Sequence, residues 1–189
     1  MKTSISFYLY ILLFSLTIAS SCKKPEEDVE EPENEFITTV KLVVTNTADT
    51  SDVQTATWKQ LTPDGSNPPD TSAAFLNLKP GSVYALSASF LDETKTPAEN
   101  ITEEILERAT SHGVFYIPDA ILSSNITIIR NDVDANNLPL GLNATLTTGA
   151  NTMNAFMNVI LRHQPEGKDG TITPGSTDAD TRFRVQIKP

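Results

Sequence analysis

Cysteine is almost missing from this chain of 189 residues, where Cys22 is the only one. An intrachain disulfide and a cysteine-built metal centre are thereby excluded. Histidine is nearly as scarce, with His112 and His163 the only two, so any imidazole chemistry must use one or both. The motifs of nucleophilic and phosphate chemistry are absent as well: no G-x-S-x-G elbow, no H-E-x-x-H pair and no glycine-rich phosphate loop. Basic residues are outnumbered, 14 Lys and Arg against 24 Asp and Glu, for a formal net charge of −10. Binding to nucleic acid draws on a basic stripe that displaces counterions from phosphates, and this sequence offers none.

There is one long hydrophobic run. Lys2 precedes the apolar stretch Ile5–Ile18, and the small residues Ala19-Ser20-Ser21 lead to Cys22. This is the layout of a secretory signal peptide, too short and too one-sided for a stable transmembrane span. Small residues running directly into a cysteine resemble the lipobox of bacterial lipoproteins, with Ala19 where that pattern usually carries Leu. The resemblance implies a diacylglyceryl group on the Cys22 thiol, cleavage before it and acylation of the new amine. More than one acyl chain is the condition for stable membrane anchoring. The expected organisation is therefore a signal peptide at 1–21, an anchor and tether at 22–36, and a domain at 37–189.

The tether owes its character to charge. Lys23–Glu35 holds Glu26, Glu27, Asp28, Glu30, Glu31, Glu33 and Glu35 against Lys23 and Lys24, with Pro25 and Pro32 among them. Val29 is its one clearly apolar member, so little burial offsets the entropy of ordering, and an extended, disordered spacer is expected. Acids soon after the lipidated cysteine also resemble the export signal of some Bacteroidota-type lipoproteins. That implies display on the outer leaflet, while a plain solvated spacer would serve either side of the membrane.

From Ile37 onward the chain carries 17 acidic and 11 basic residues, a net charge of −6. A domain of this length can bury about two thirds of its unfolded surface, enough for a core without disulfides. Strand patterns dominate it. Ile37–Thr47 is rich in β-branched residues, Val53–Gln60 carries the single tryptophan Trp58, and Thr62–Thr71 is a proline-rich loop. Ala73–Leu78 is a short strand. Within Ser82–Leu91, Tyr84, Leu86, Ala88 and Phe90 share one parity and should face the core. Further strands are expected at Gly113–Ile117, Asn125–Arg130, Asn143–Thr148, Asn154–His163 and Thr181–Lys188, with Asp178-Ala179-Asp180 as a turn into the last. The exception is Asn100–Gly113. Asn100 and Glu103 suggest a capping box, Ile101, Ile105 and Ala109 with Leu106 an apolar stripe, and Gly113 a helix stop. The expected fold is all-β, an Ig-like antiparallel β-sandwich with one short helix at about 100–112. The segment Leu78–Tyr84 (LKPGSVY) resembles the L-x-P-G-x-x-Y corner of fibronectin type III and Ig-like domains. That likeness implies a tyrosine hydroxyl bonded back to the main chain.

Two groups of residues could carry chemistry. Asp132, Asp134 and Asn136 have the alternate oxygen-ligand spacing of calcium loops, with the Leu138 carbonyl at the seventh position. Asn137 stands where such loops have glycine, and Asn143 where they have glutamate. The same residues also read as a polar turn, in which Asp and Asn bond their own backbone ahead of Pro139 and Gly141. His112 and His163, 51 positions apart, could together hold a transition metal or a haem, or stand as unrelated surface residues. A surface glycan hydrolase is a further alternative, since its two carboxylates could come from the many acids present.

Cys22, the acidic tether and the segments DETKTPAENITEEI and DVDANNLPLG together are similar to small Bacteroidota-type outer-membrane lipoproteins that accompany TonB-dependent receptors. The resemblance implies a lipid-anchored protein of the cell envelope, non-enzymatic, acting as an accessory or binding module beside such a receptor.

Overall fold

The structure, a computed structural model, describes residues 36–62 and 65–189. Cys22, the apolar stretch Ile5–Ile18 and the acidic stretch to Glu35 lie outside them. Among the described residues the order is β1 (Thr39–Asn46), β2 (Val53–Lys59), β3 (Asp70–Ala73), β4 (Phe75–Leu78), β5 (Val83–Leu91), α1 (Ile101–Glu107), β6 (His112–Pro118), β7 (Ile126–Arg130), β8 (Asn143–Thr148), β9 (Met153–His163) and β10 (Ser176–Ile187). One sheet has six strands in the order β3-β2-β1-β5-β8-β7, the other four in the order β4-β10-β9-β6. Every pairing is antiparallel except β4 with β10. This is the all-β, Ig-like sandwich with one short helix. Among the described residues no helix is long and apolar enough to cross a membrane.

Side-chain alternation builds the core. Successive residues of a strand point to opposite faces, and in β5 that buries Tyr84, Leu86, Ala88 and Phe90 while their neighbours face outward. The register with β1 sets Leu42 against Ala88 and Val44 against Leu86, lining up the inner face. Across from it, Met157, Val159 and Leu161 of β9 and Phe183, Val185 and Ile187 of β10 are fully buried. Each such side chain contributes about 1.5–3 kcal/mol of burial free energy.

Three local devices close the sandwich. The chain passes from the large sheet to the small one at buried Ala74, between β3, which pairs with β2, and β4, which pairs with β10. There the Gln54 side chain accepts the Asn77 N–H at 2.9 Å and donates to the Asn77 carbonyl, imitating a strand where β2 faces β4. Tyr84 makes the corner its motif implied, its hydroxyl accepting the Lys79 N–H at 2.7 Å. At the β6 edge, the Val114 N–H donates to the Leu140 carbonyl at 2.7 Å, and Arg130 lies over the Phe115 ring at 4.4 Å.

The helix is shorter than its pattern suggested. It ends at Glu107, a 3₁₀ turn follows over Ala109–Ser111, and His112 opens β6. Seven positions of β6 pair with β9, and that long-range ladder outweighs further local helix. Asn100 does not cap a helix N–H; its side-chain amide donates to Glu103 Oε1 at 2.8 Å instead. Ile101 and Ile105 pack inward, whereas Leu106 falls off that face and is exposed.

Candidate functional site

Folding brings the two histidines together. His112 and His163 are direct cross-strand partners of β6 and β9, and their rings stack with centroids 4.9 Å apart and planes within 9°. His112 Nδ1 lies 3.0 Å from the Arg108 carbonyl, an acceptor, so Nδ1 carries the proton. Nε2 then faces Asp178, 4.0 Å from its Oδ2. Asp178 is no turn residue; it is the extra residue where the β9–β10 register shifts between Thr177 and Ala179. Such a bulge re-aims a side chain, and here it turns a carboxylate into the interior, fully buried. Burial is the main force on His112 and holds its pKa down at about 4; the Arg108 carbonyl opposes this, while the charges of His163, Arg108 and Lys168 add to the depression. At neutral pH the ring is uncharged.

This arrangement suits packing and hydrogen bonding. The two parallel rings present their faces to each other, and both are buried. With His112 at 0% exposure and His163 at 4%, no planar macrocycle fits against the rings. Among the described residues, no three His, Cys, Asp or Glu side chains are grouped to hold a metal ion.

The Asp132 loop is occupied by its own backbone. Asp134 Oδ1 accepts the N–H groups of Asn136 and Leu138 at 2.8 and 2.9 Å, and its Oδ2 meets the Lys168 ammonium at 2.8 Å with both side chains buried. Those bonds hold the Asp134 carboxyl below the usual range, although burial alone would raise it. Asp132 Oδ1 accepts the Gly141 N–H at 2.7 Å and Oδ2 the Asn143 N–H at 3.0 Å, and Asn136 contributes its backbone N–H. The polar turn is the form the loop takes, with Asn137 left-handed at φ 61°, and the cation beside it is Lys168.

Open chemistry lies on the outer face of the small sheet. Phe75 of β4 and Phe156 of β9 are exposed there, by 47% and 39%, and Arg182 and Arg184 project from β10 between them. The Arg182 guanidinium sits 4.2 Å above the Phe156 ring centroid, and Arg184 Nε donates to Asn154 Oδ1 at 2.8 Å. Thr71, Ser72, Ala74, Phe75, Phe156, Arg182 and Arg184 line a hollow of about 410 Å³. A second, of about 430 Å³, is lined by Ser72, Phe75, Asn77, Arg184, Gln186 and Lys188. The shared Ser72, Phe75 and Arg184 make them one trough, and no carboxylate lines either part. The acids alongside are committed elsewhere: Asp119 accepts the Leu122 and Phe156 N–H groups at 2.8 and 3.1 Å, and Asp180 accepts from Asn158 at 2.8 Å. A glycoside-cleaving site needs two facing carboxylates, and this trough provides arginines.

Sequence reasoning passed over these residues because Phe75 and Phe156 look like ordinary strand apolars. The signal was parity: once Phe183, Val185 and Ile187 are assigned inward, Arg182, Arg184 and Lys188 form a basic row on the opposite face. Fold and face together define a β-sandwich bearing a basic, aromatic trough. Comparison of the chain with protein-family models, with curated proteins and with solved structures finds no match.

Proposed function

We propose that this is a lipid-anchored protein of the bacterial cell envelope that works as a non-enzymatic binding module, accessory to a TonB-dependent outer-membrane receptor. The outer face of the small sheet is its contact surface. The observation that carries this reading is the trough, where two exposed phenyl rings and two arginines share one surface. Arginine and large aromatics are the side chains that dominate contact energies in interfaces. Arg182 stacked on Phe156 and Arg184 tied to Asn154 have already lost much of their rotamer freedom, so a partner meets less ordering cost. The lipobox-like Cys22 would supply the membrane anchor.

The test is crosslinking in cells with an affinity tag after Pro189, comparing the native chain with the double variant Arg182→Glu/Arg184→Glu and with Cys22→Ser. Expected are capture of a TonB-dependent receptor by the native chain, loss of that capture in the arginine variant, and release of Cys22→Ser from the membrane fraction. A native chain that captures no receptor, or an arginine variant that captures it equally well, overturns the assignment.

A further inference from the structure

We infer that the trough takes an extended acidic peptide whose carboxylates stand at alternate positions. This rests on the binding-module reading and adds the class of ligand. Arg182 and Arg184 are two residues apart on one face of β10, so their Cα atoms are about 7 Å apart along the strand. An extended peptide repeats its same-face side chains at that spacing. Two carboxylates at positions i and i+2 therefore meet the two guanidinium groups in register, and each can be held by a bidentate pair of hydrogen bonds.

Orientation of the arginines favours this pairing. The Arg182 guanidinium is held over the Phe156 ring, 4.2 Å from its centroid, with the Asp119 carboxyl close enough to feel its charge. Asn154 takes Nε of Arg184, leaving the two terminal nitrogens for a carboxylate. Lys188 extends the row past Arg184, and Phe75 offers an apolar bed for the methylenes of glutamate. At the other end of the same row Asp180 presents a carboxylate, which repels an acidic chain that overruns Arg182. The ligand register is thus bounded on one side by charge. A trough with basic walls within a domain of net charge −6 attracts acids locally while the rest of the surface discourages nonspecific polyanion binding.

The experiment uses the full chain in detergent micelles and three fluorescein-labelled probes read by anisotropy at low salt. One heptapeptide alternates glutamate with threonine, its isomer carries the same glutamates in two blocks, and a third replaces every glutamate by glutamine. Expected are tightest binding of the alternating peptide, at least tenfold weaker binding of the glutamine peptide, and about tenfold loss for Arg182→Gln or Arg184→Gln alone. Asp180→Asn should strengthen binding of longer acidic peptides. Equal affinity for the alternating and block isomers, or no change on either arginine substitution, overturns the inference. So does tighter binding of a polyuronate oligomer, which would make the ligand an acidic glycan. If no acidic peptide binds while the arginine pair is still required for receptor capture, the ligand class is wrong and the contact face stands; if both fail, the binding role falls too.

Discussion

Acidification from pH 7 to pH 4.5 tests the imidazole stack directly. His112 titrates near 6.5 in an unfolded chain and at about 4 in the fold, because burial penalises its charged form. A base with a depressed folded pKa stabilises the protein above its unfolded pKa. That contribution is lost as pH falls from 6.5 towards 4, where the unfolded chain binds a proton that the folded one refuses. A gap of about 2.5 pKa units makes the loss on the order of 2–3 kcal/mol by pH 4.5, a large share of a domain stability of about 5–15 kcal/mol. The hydrogen bond to the Arg108 carbonyl pulls the other way, and the charges of His163, Arg108 and Lys168 add to the depression. The depressed carboxyls, Asp119, Asp134 and Glu93 among them, are common to the native protein and a His112 variant and cancel between them. The assay is urea unfolding at half-unit pH steps, followed by fluorescence of Trp58, the single tryptophan, which packs partly buried against the core. His112→Gln removes the titrating ring and leaves the other ionisable side chains in place, so the difference between the two curves isolates His112. The native protein should lose 2–3 kcal/mol more than the variant between pH 7 and 4.5. Parallel curves would refute the reasoning, since the buried ring would then gain its proton as easily as the unfolded one.

Other substitutions probe the remaining devices. Tyr84→Phe strands the Lys79 N–H that its hydroxyl accepts and should cost about 1–2 kcal/mol in denaturant unfolding. Gly81 and Gly175 both have positive φ, but a Cβ at Gly81 meets nothing within 4 Å while one at Gly175 would lie 1.8 Å from the His163 carbonyl oxygen. Gly81→Ala should therefore cost about 1–2 kcal/mol and Gly175→Ala about 3 or more, seen as unequal shifts in thermal midpoint. Lys168→Met leaves the buried Asp134 carboxylate without its cation and should cost about 3–5 kcal/mol, with much of it recovered in the double variant Lys168→Met/Asp134→Asn. Millimolar calcium or a chelator should leave the thermal midpoint of the native chain unchanged, because the Asp132 and Asp134 oxygens are already bonded to amides and to Lys168.

The amino-acid order alone determined the elements whose signal is local. The parity of Tyr84, Leu86, Ala88 and Phe90 marked the core face of β5, the LKPGSVY segment marked the tyrosine corner, and the Asp and Asn run at 132–137 marked a tight turn. Each depends on side chains a few residues apart, so the neighbouring sequence contains the whole cause. Tertiary structure decided what depends on partners far along the chain. His112 left the helix pattern for a strand because β9 lay ready to pair with it, and only that register set it against His163. Asp178 became a buried carboxylate through a one-residue slip against β9, a feature no local pattern encodes. The trough needed β4 beside β10, and β10 beside β9, before Phe75, Phe156, Arg182 and Arg184 could share one surface. Periodicity says which residues of a strand point the same way; long-range pairing says whether that face meets the core, another strand's side chains or a partner.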